Sequence, residues 1–425
     1  MSHTRPGVTL ELWFDFSCPY AYLASRRAHA LGVPIDWRPM LLGGVFRGIG
    51  AGDGPMATLS AAKAAHTLAD QHRWAERFEV AFQMPANHPM RTVRALRVLL
   101  ALPRIEWPRA IEGIYAAYWQ RSEDISTDAV IEGALLDAGI DQGTVRIALA
   151  RAHEMKDELR KRTDEAIGLG IFGAPAWIMR RDGDPLLIWG QDRFPWLEAI
   201  VAGWDPDAGP PPAGPRPFAP SGRARPNTTL DVYFDVASPF SYFALTQLPA
   251  FTAMGVTPRL VPILLGGLFR DIGQADVPLA TFPAPKHAYV TREMERWANW
   301  WGIPFAQPEK FPQRTITAQR LALLAADESF ARGVALATAL GRAMWGEQRD
   351  LEDDETLREI LETEGFPTAW LARTRDAAIK ARLAANTTAA REARVFGVPT
   401  FVIDGKHLLW GQDRLDLVAR ALVSK

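Results

Sequence analysis

The chain has 425 residues, of which 48% are hydrophobic and 23% charged, a balance typical of soluble globular proteins, and its length predicts at least two domains. The formal net charge of -1 excludes the recruitment of nucleic acid or of an anionic membrane by a global electrostatic field. No stretch approaches the roughly 20 apolar residues that span a bilayer, and Met1 to Gly7 is too polar for a signal peptide, so we predict a cytoplasmic protein with no membrane partner.

The predicted elements begin with a β-strand over Leu10 to Phe14, followed by an aspartate and by Cys18-Pro19 at the start of a helix. A second short strand is predicted over Ile35 to Arg38. A long middle section has helical spacing, clearest over His66 to Val80. A Gly-x-Pro turn then precedes a strand over Ala176 to Met179, another strand and a terminal helix.

The same order of elements recurs at an offset of 220 to 224 residues. Such a steady offset indicates duplication of a whole domain rather than a short-period solenoid. The matched segments are Leu12 to Tyr22 with Val232 to Tyr242, Leu41 to Arg47 with Leu264 to Arg270, Arg91-Thr92 with Arg314-Thr315, Phe172 to Pro175 with Phe396 to Pro399, and Trp189 to Arg193 with Trp410 to Arg414. The second copy predicts strands over Leu230 to Phe234, Thr257 to Val261 and Thr400 to Ile403, and a helix over Lys286 to Trp301.

A stretch rich in proline and glycine joins the two copies. We place the first domain at residues 1–204, the join at 205–227 and the second domain at 228–425. Gly209 to Pro215 is too rich in proline and glycine for the interior of an element, and predicts an extended, semi-rigid spacer. The fold class predicted is α/β: two thioredoxin-like domains, each with an all-helical insertion. A separate helical bundle is the alternative for the middle helices.

Cys18 in the first copy and Ser238 in the second each precede a proline at the start of a predicted helix. A helix N-terminus favours negative charge, so the pKa of Cys18 is expected to be lowered. The Ser238 hydroxyl can donate a hydrogen bond to a thiolate supplied from outside, or it can simply cap the helix. Because Cys18 is the only cysteine, an internal disulfide, a cysteine-based zinc site and a dithiol redox pair are excluded, and no metal is predicted.

The Gly-x-Pro turns are candidates for binding an extended peptide. A cis proline at Pro175 or Pro399 leaves the backbone N–H and C=O of Ala174 or Val398 able to pair with such a peptide as an added strand. Glutathione is a peptide of this kind. An ordinary loop proline is the alternative interpretation.

The repeated Trp-Gly-Gln-Asp-Arg motif places Gln191 and Asp192, and again Gln412 and Asp413, just before the closing helix. An aspartate there can accept the ammonium group of a γ-glutamyl moiety while backbone N–H groups hold its carboxylate. The same aspartate can instead cap the last helix, and both roles can coexist.

The insertion carries a further candidate set of side chains. Lys286 and Tyr289 are one helical turn apart and share a face, and Lys63 and His66 occupy the corresponding positions of the first copy. A cation and a phenol facing the thiol site would suit a small aromatic substrate with a carboxylate. A solvated helix face with ordinary ion pairs is the alternative.

Together these motifs resemble the 2-hydroxychromene-2-carboxylate isomerases, which group with the kappa-class glutathione transferases among the DsbA-like proteins. The resemblance is carried by Phe234 to Tyr242, Leu264 to Phe269, Pro283-x-x-Lys286, Gly397 to Pro399 and Trp410 to Leu415. It implies a thioredoxin fold with a helical insertion, bound glutathione and a homodimer, which two fused copies can replace as a pseudo-dimer within one chain. Whether the fused chain associates further is left open.

The resemblance also implies roles for individual residues. Ser238 would contact the glutathione sulfur, Val398 and Pro399 would pair with the tripeptide backbone, and Gln412 and Asp413 would hold its γ-glutamyl end. The thiolate would add reversibly to an unsaturated aromatic acid and permit cis–trans isomerisation.

The first copy departs from this pattern, because Cys18 replaces the serine and His66 stands where the second copy has Tyr289. It is therefore interpreted as a modified or retired site. Two other functions stay open: a glutathione transferase or monothiol oxidoreductase that uses Cys18, and a non-catalytic module that binds glutathione or a peptide.

Overall fold

A computed structural model describes residues 9–52, 54, 59–181, 184–275 and 277–423. Met1 to Gly7, considered above as a signal peptide, lies outside the described residues. The chain divides into two compact units, and each takes a short helical segment from the other repeat. The first unit comprises Met1–Ser60, Thr67–Trp204 and Pro283–Ala288, and the second comprises Ala61–His66, Asp205–Phe282 and Tyr289–Lys425.

The first unit is built on a mixed four-stranded sheet with the order β2-β1-β3-β4. The central strand β1 runs parallel to β2 and antiparallel to β3, and β3 is antiparallel to β4. All residues of β1 are buried, as expected for a strand covered on both faces. The strands are β1 (Leu10–Phe14), β2 (Ile35–Pro39), β3 (Ala176–Met179) and β4 (Leu186–Trp189).

Among the described residues of the first repeat, one α-helix lies between β1 and β2, seven lie between β2 and β3, and one follows β4. They are α1 (Pro19–Arg27), α2 (Leu42–Gly48), α3 (Ala61–Phe78), α4 (Val93–Ala101), α5 (Trp107–Trp119), α6 (Asp128–Asp137), α7 (Gln142–Arg151), α8 (Lys156–Gly168) and α9 (Phe194–Val201). The first six residues of α3 are those that belong to the second unit.

The second unit repeats the sheet with the order β6-β5-β7-β8 and the same parallel and antiparallel pairings. Its strands are β5 (Leu230–Phe234), β6 (Arg259–Pro262), β7 (Thr400–Ile403) and β8 (His407–Trp410). Strand β6 begins two residues later than the apolar pattern predicts. A buried cluster beneath this sheet includes Val261, Ile263, Leu268 and Val398, so the residue before Pro399 is also part of the core.

The helices of the second repeat follow the same plan. They are α10 (Pro239–Gln247), α11 (Leu265–Asp271), α12 (Ala284–Trp301), α13 (Ile316–Glu328), α14 (Phe330–Trp345), α15 (Asp354–Thr363), α16 (Trp370–Arg373), α17 (Ala377–Glu392) and α18 (Leu415–Val423). In the part of the chain that the structure describes, no helix is long and apolar enough to cross a bilayer.

Apart from the first turns of α3 and α12, the inserted helices belong to the same compact unit as the sheet of their own repeat, so they do not form a separate bundle. Trp119 at the end of α5 donates a hydrogen bond from its indole N–H to the Phe16 carbonyl at 2.9 Å. Trp345 at the end of α14 donates in the same way to the Val236 carbonyl at 2.8 Å. Both carbonyls belong to the turns that lead into α1 and α10, so each insertion holds the turn that carries Cys18 or Ser238.

The join between the copies is bound along the second unit, a contact that its composition did not predict. Backbone N–H groups of Arg216, Ala224 and Arg225 donate hydrogen bonds to carbonyls of that unit at 2.7 to 2.9 Å. Asp207 forms a two-pronged ion pair with the buried Arg296, with N···O distances of 2.7 and 3.1 Å. Proline and glycine content identifies an irregular segment but says nothing about the partners of its backbone.

Candidate functional site

Ser238 links the start of α10 to the turn before β7. Its Oγ accepts a hydrogen bond from the Ser241 N–H at 3.3 Å and so caps the helix, while Pro239 fills the first helical position. Its hydroxyl also donates to the Val398 carbonyl, with an O···O distance of 3.3 Å. The Val398–Pro399 peptide bond is cis. The structure therefore brings the serine, the helix start and the cis proline to one place.

The two backbone groups of Val398 differ in their hydrogen bonds. The carbonyl accepts one hydrogen bond, from the Ser238 hydroxyl, and keeps a second lone pair. The N–H, in contrast, has no hydrogen-bond partner among the described residues. Val398 as a whole residue is 5% exposed, so this N–H is a hydrogen-bond donor in a largely buried segment of the chain.

Cys18 occupies the same place in the first unit. Its thiol donates to the Ala174 carbonyl with an Sγ···O distance of 3.1 Å, and the Ala174–Pro175 bond is also cis. Burial raises the pKa of Cys18 to about 12, against the lowering effect of the Ala21 and Tyr20 N–H groups. This direction is opposite to the one predicted from the helix N-terminus. Desolvation of the thiolate outweighs the N–H groups that would stabilise it.

Asp235 is a buried carboxylate that holds the segments around Ser238 together. One of its oxygens accepts hydrogen bonds from the Ala237 N–H at 3.0 Å and from the Thr315 hydroxyl at 2.7 Å. The other accepts from the Leu265 N–H at 2.8 Å. Burial raises the pKa of Asp235, and these three donors oppose that shift. The carboxylate thus joins the end of β5 to the starts of α11 and α13.

The first unit has the same arrangement. Asp15 accepts hydrogen bonds from the Ser17 N–H at 3.0 Å and the Leu42 N–H at 2.8 Å, and burial raises its pKa. Sequence reasoning used Asp15 and Asp235 only as part of the motif around Cys18 and Ser238, and did not assign them a role. The sequence signal that marked Asp15 and Asp235 was that both recur at the offset that relates the two copies.

The Trp-Gly-Gln-Asp-Arg motif forms a tight loop that closes over the turn before Pro399. Gly411 has a φ of 111°, a backbone conformation that residues other than glycine rarely adopt. Asp413 folds back towards it and pairs with Arg414 at an N···O distance of 3.1 Å. The Trp410 indole lies so close to Gly397 that a β-carbon there would be 2.7 Å from its nitrogen. The repeated glycines are therefore required by close approach.

The two glutamines of this motif are buried beside the loop. Gln412 is 5% exposed and Gln191 is 3% exposed. The side-chain N–H₂ group of Gln191 has no hydrogen-bond partner in the described part of the chain. Asp192 pairs with Arg193 at 2.9 Å, as Asp413 does with Arg414. The aspartates predicted to accept an ammonium group thus already have a guanidinium neighbour, whereas the Gln191 amide still has a donor to offer.

The predicted pair Lys286 and Tyr289 is divided between the units, since Lys286 belongs to the first and Tyr289 to the second. The Tyr289 hydroxyl donates to Glu293 at 3.3 Å, and the Arg296 guanidinium lies 5.8 Å from the centre of its ring. Tyr289 is therefore part of the buried cluster that holds Asp207. Lys286 and Tyr289 are one helical turn apart, but they belong to different units.

Lys63 and His66 of the first repeat lie in the second unit. The Lys63 ammonium is 5.1 Å from the centre of the Trp410 ring, and burial lowers the pKa of Lys63. His66 accepts a hydrogen bond at Nε2 from the Trp410 N–H at 3.2 Å. The structure thus places them beside the loop of the second unit, whereas the sequence assigned them to the site of the first copy.

Comparison with known proteins identifies the family to which both units belong. The sequence matches the DSBA-like thioredoxin domain over residues 9–202 and again over residues 229–423. The chain belongs to the DsbA-like thioredoxin family. Because nearly the whole chain is covered by two copies of this domain, the prediction of two thioredoxin-like domains with helical insertions is confirmed.

Individual DsbA-like relatives each match a little under half of the chain. Glutathione S-transferase kappa 1 from Caenorhabditis elegans is 27% identical over 206 residues, which cover 45% of this chain and 90% of the relative. The 2-hydroxychromene-2-carboxylate isomerase of Pseudomonas putida is 31% identical over 197 residues, 45% of this chain and 93% of the relative. The isomerase of the same name from Sphingobium xenophagum is 28% identical over 198 residues, covering 45% and 97%.

Replacing Gly411 with alanine is expected to lower the unfolding free energy of the second DsbA-like unit by about 2 to 3 kcal/mol. Besides the unfavourable φ, the new methyl group would meet a carboxylate oxygen of Asp413 at 2.5 Å. Gly405→Ala is the matched control, because Gly405 has a φ of 65° but no neighbouring atom within 4 Å. Urea unfolding of both variants measures the difference. Equal losses in the two variants would show that the contact with Asp413 is unimportant.

Proposed function

We propose that this protein is a glutathione-dependent isomerase that converts a cis-unsaturated aromatic carboxylic acid into its trans form, and that the second unit carries the active site. The proposal is supported by the DsbA-like family, by the similarity to proteins named 2-hydroxychromene-2-carboxylate isomerase, and by the geometry around Ser238.

The observation that carries the proposal is the position of the Ser238 hydroxyl. It lies at the N-terminus of α10 and 3.3 Å from the carbonyl of Val398, the residue before Pro399. A sulfur anion held here has a helix N-terminus on one side and a hydroxyl donor on the other. The hydroxyl carries one proton, so donation to sulfur requires it to leave the Val398 carbonyl. Its lone pairs can keep capping α10 through the Ser241 N–H in both states.

The remaining polar groups fit the backbone and γ-glutamyl end of a glutathione molecule. The unpartnered Val398 N–H is a donor for a peptide carbonyl in an added strand. Gln412 and Asp413 are assigned to the γ-glutamyl end, and the side-chain amide of Gln191, which has no hydrogen-bond partner among the described residues, supports the same assignment for the corresponding place in the first unit. Bound glutathione would supply a thiolate for reversible addition to the substrate double bond; ring opening and rotation would follow, and elimination of the same thiolate would restore the double bond in the trans form, so that no glutathione is consumed.

Around this centre, Lys63 is assigned to the substrate carboxylate. Its ammonium lies 5.1 Å from the centre of the Trp410 ring, so a cation and an aromatic face are adjacent in the second unit. The substrate-binding roles predicted for His66, Lys286 and Tyr289 stay predictions.

The test is turnover by the full-length protein in the presence of glutathione. Purified protein is expected to interconvert 2-hydroxychromene-2-carboxylate and trans-benzylidenepyruvate, followed by absorbance. Ser238→Ala is expected to lower kcat/KM about 10²-fold, as loss of one preorganised donor does in other enzymes. Ser329→Ala is the matched control, because Ser329 caps α14 through the Arg332 N–H at 3.2 Å but lies in a different turn.

Other outcomes would replace this proposal. Activity that survives Ser238→Ala and is lost in Cys18→Ala would assign the chemistry to the Cys18 thiol. Conjugation of glutathione to an aromatic halide without isomerisation would indicate a transferase. Tight glutathione binding with no turnover of any electrophile would indicate a binding module.

A further inference from the structure

The edge strand β8 carries a backbone donor that points away from its own sheet. Strand β8 is last in the order β6-β5-β7-β8. The Gly411 N–H donates to the Pro399 carbonyl at 3.0 Å, towards β7. Since successive residues of a strand direct their N–H groups to opposite sides, the Trp410 N–H points outward. An outward N–H at an edge needs an acceptor from elsewhere.

His66 supplies that acceptor. Its Nε2 lies 3.2 Å from the Trp410 nitrogen. Because Nε2 accepts, the bond requires a neutral imidazole with its proton on Nδ1.

The same ring also packs on Phe396, which precedes the turn at Pro399, and on Trp410, which precedes the loop with Gln412 and Asp413. The His66 ring centre is 5.4 Å from that of Phe396 and 6.4 Å from that of Trp410, in edge-on arrangements. Phe396 and Trp410 pack on each other at 5.1 Å. Phe396 leads into Gly397-Val398-Pro399, and Trp410 leads into the loop with Gln412 and Asp413. One side chain therefore contacts the beginnings of the two segments assigned above to glutathione.

We propose that His66 is a positioning residue for the glutathione site of the second unit: by accepting the Trp410 N–H it fixes the loop that presents Gln412 and Asp413. This inference rests on the proposed function for the identity of the ligand. His66 belongs to the first repeat in sequence, but the compact unit that contains it is the second.

The test separates the hydrogen bond from the ring. His66→Phe keeps an aromatic ring against Phe396 and Trp410 but removes the acceptor, and is expected to weaken glutathione binding about 3- to 10-fold. His66→Gln restores an acceptor at a similar reach without the ring, and is expected to bind within about 2-fold of the unmodified protein. His72→Phe is the matched control, since His72 lies on the same helix but contacts Phe82.

Two measurements are made on the full chain. Calorimetric titration with glutathione gives the affinity, and the weakened site should be the one that Ser238→Ala also weakens. Amide hydrogen exchange of the peptide around Trp410 should be faster in His66→Phe and restored in His66→Gln, which simple loss of packing would not produce. In the assay of turnover, His66→Phe should raise KM for glutathione and leave kcat nearly unchanged.

The outcomes distinguish failure of the inference from failure of the proposed function. Unchanged affinity in His66→Phe, or equal weakening in His66→Phe and His66→Gln with unchanged exchange at Trp410, overturns the role of His66 while glutathione binding stands. Absence of glutathione binding by the unmodified protein overturns both.

Discussion

Replacement of Asp235 by alanine is expected to lower the unfolding free energy of the second unit by roughly 3 kcal/mol. The carboxylate accepts three hydrogen bonds, from the Ala237 N–H, the Leu265 N–H and the Thr315 hydroxyl. Alanine leaves these donors buried without an acceptor, at about 1 kcal/mol or more each. The variant also removes a buried charge, whose desolvation cost offsets part of the loss.

Urea unfolding followed by circular dichroism and tryptophan fluorescence measures this effect, with Asp231→Ala as the control. Asp231 belongs to the same strand, but its ion pair with Arg259 is at the surface, where the arginine side chain is 68% exposed. A pair of this kind contributes about 0 to 1 kcal/mol. If Asp235→Ala destabilised the unit no more than Asp231→Ala, the carboxylate would not be what joins β5 to α11 and α13.

Local patterns predicted most of the elements that form the two sheets. The apolar runs at Leu10 to Phe14 and Thr400 to Ile403 form strands over the predicted residues, because a buried strand needs little beyond a short run of apolar side chains between turn residues. Helix α3 begins at Ala61, five residues before the predicted start at His66. The alanine-rich segment before His66 favours a helix by propensity but lacks an amphipathic pattern.

The site was predictable only where its residues lie in repeated motifs. Ser238, Val398 and Pro399 meet because the βαβ and ββα units of a thioredoxin fold bring their loops to one end of the sheet. Recurrence marked Asp235 and Thr315 as parts of repeated segments, but the hydrogen bond between them depends on tertiary packing across 80 residues of sequence and was not predictable. Helical spacing placed Lys63 and His66 on one face, but it carries no information about which unit that face contacts.

Cys18 illustrates how burial can reverse a local rule. Placement before a proline at a helix start predicts a lowered pKa, since the helix N-terminus stabilises a thiolate. That rule holds for a partly exposed thiol. Cys18 is 7% exposed, and its thiol already has an acceptor in the Ala174 carbonyl. Exposure of a single side chain cannot be read from its sequence neighbours, so the sign of the shift could not be predicted.

The Cys18 thiol is expected to react with iodoacetamide about 10³-fold more slowly in the folded protein than in the urea-unfolded chain at the same pH. Burial raises the pKa of Cys18 to about 12 from an ordinary value of 9.0, and only the thiolate reacts. The folded-state rate should rise about tenfold per pH unit between pH 7 and 9, as the thiolate fraction does. Because the chain contains one cysteine, mass spectrometry assigns the modification without ambiguity.

This measurement also decides between the proposed function and the use of Cys18 as a catalytic thiol. A monothiol oxidoreductase needs a thiolate at neutral pH to attack a disulfide. If Cys18 had this role, its thiol would react with iodoacetamide in the folded protein at least as fast as in the unfolded chain. Cys18→Ser, which gives the first unit the residue found at Ser238, is the matched variant. We expect Cys18→Ser to retain glutathione-dependent isomerase activity, because a thiol held neutral by burial and hydrogen-bonded to Ala174 supplies nothing that a hydroxyl in the same place cannot. Rapid alkylation of Cys18 at pH 7, or a mixed disulfide between Cys18 and glutathione that blocks turnover, would indicate that Cys18 is the catalytic thiol.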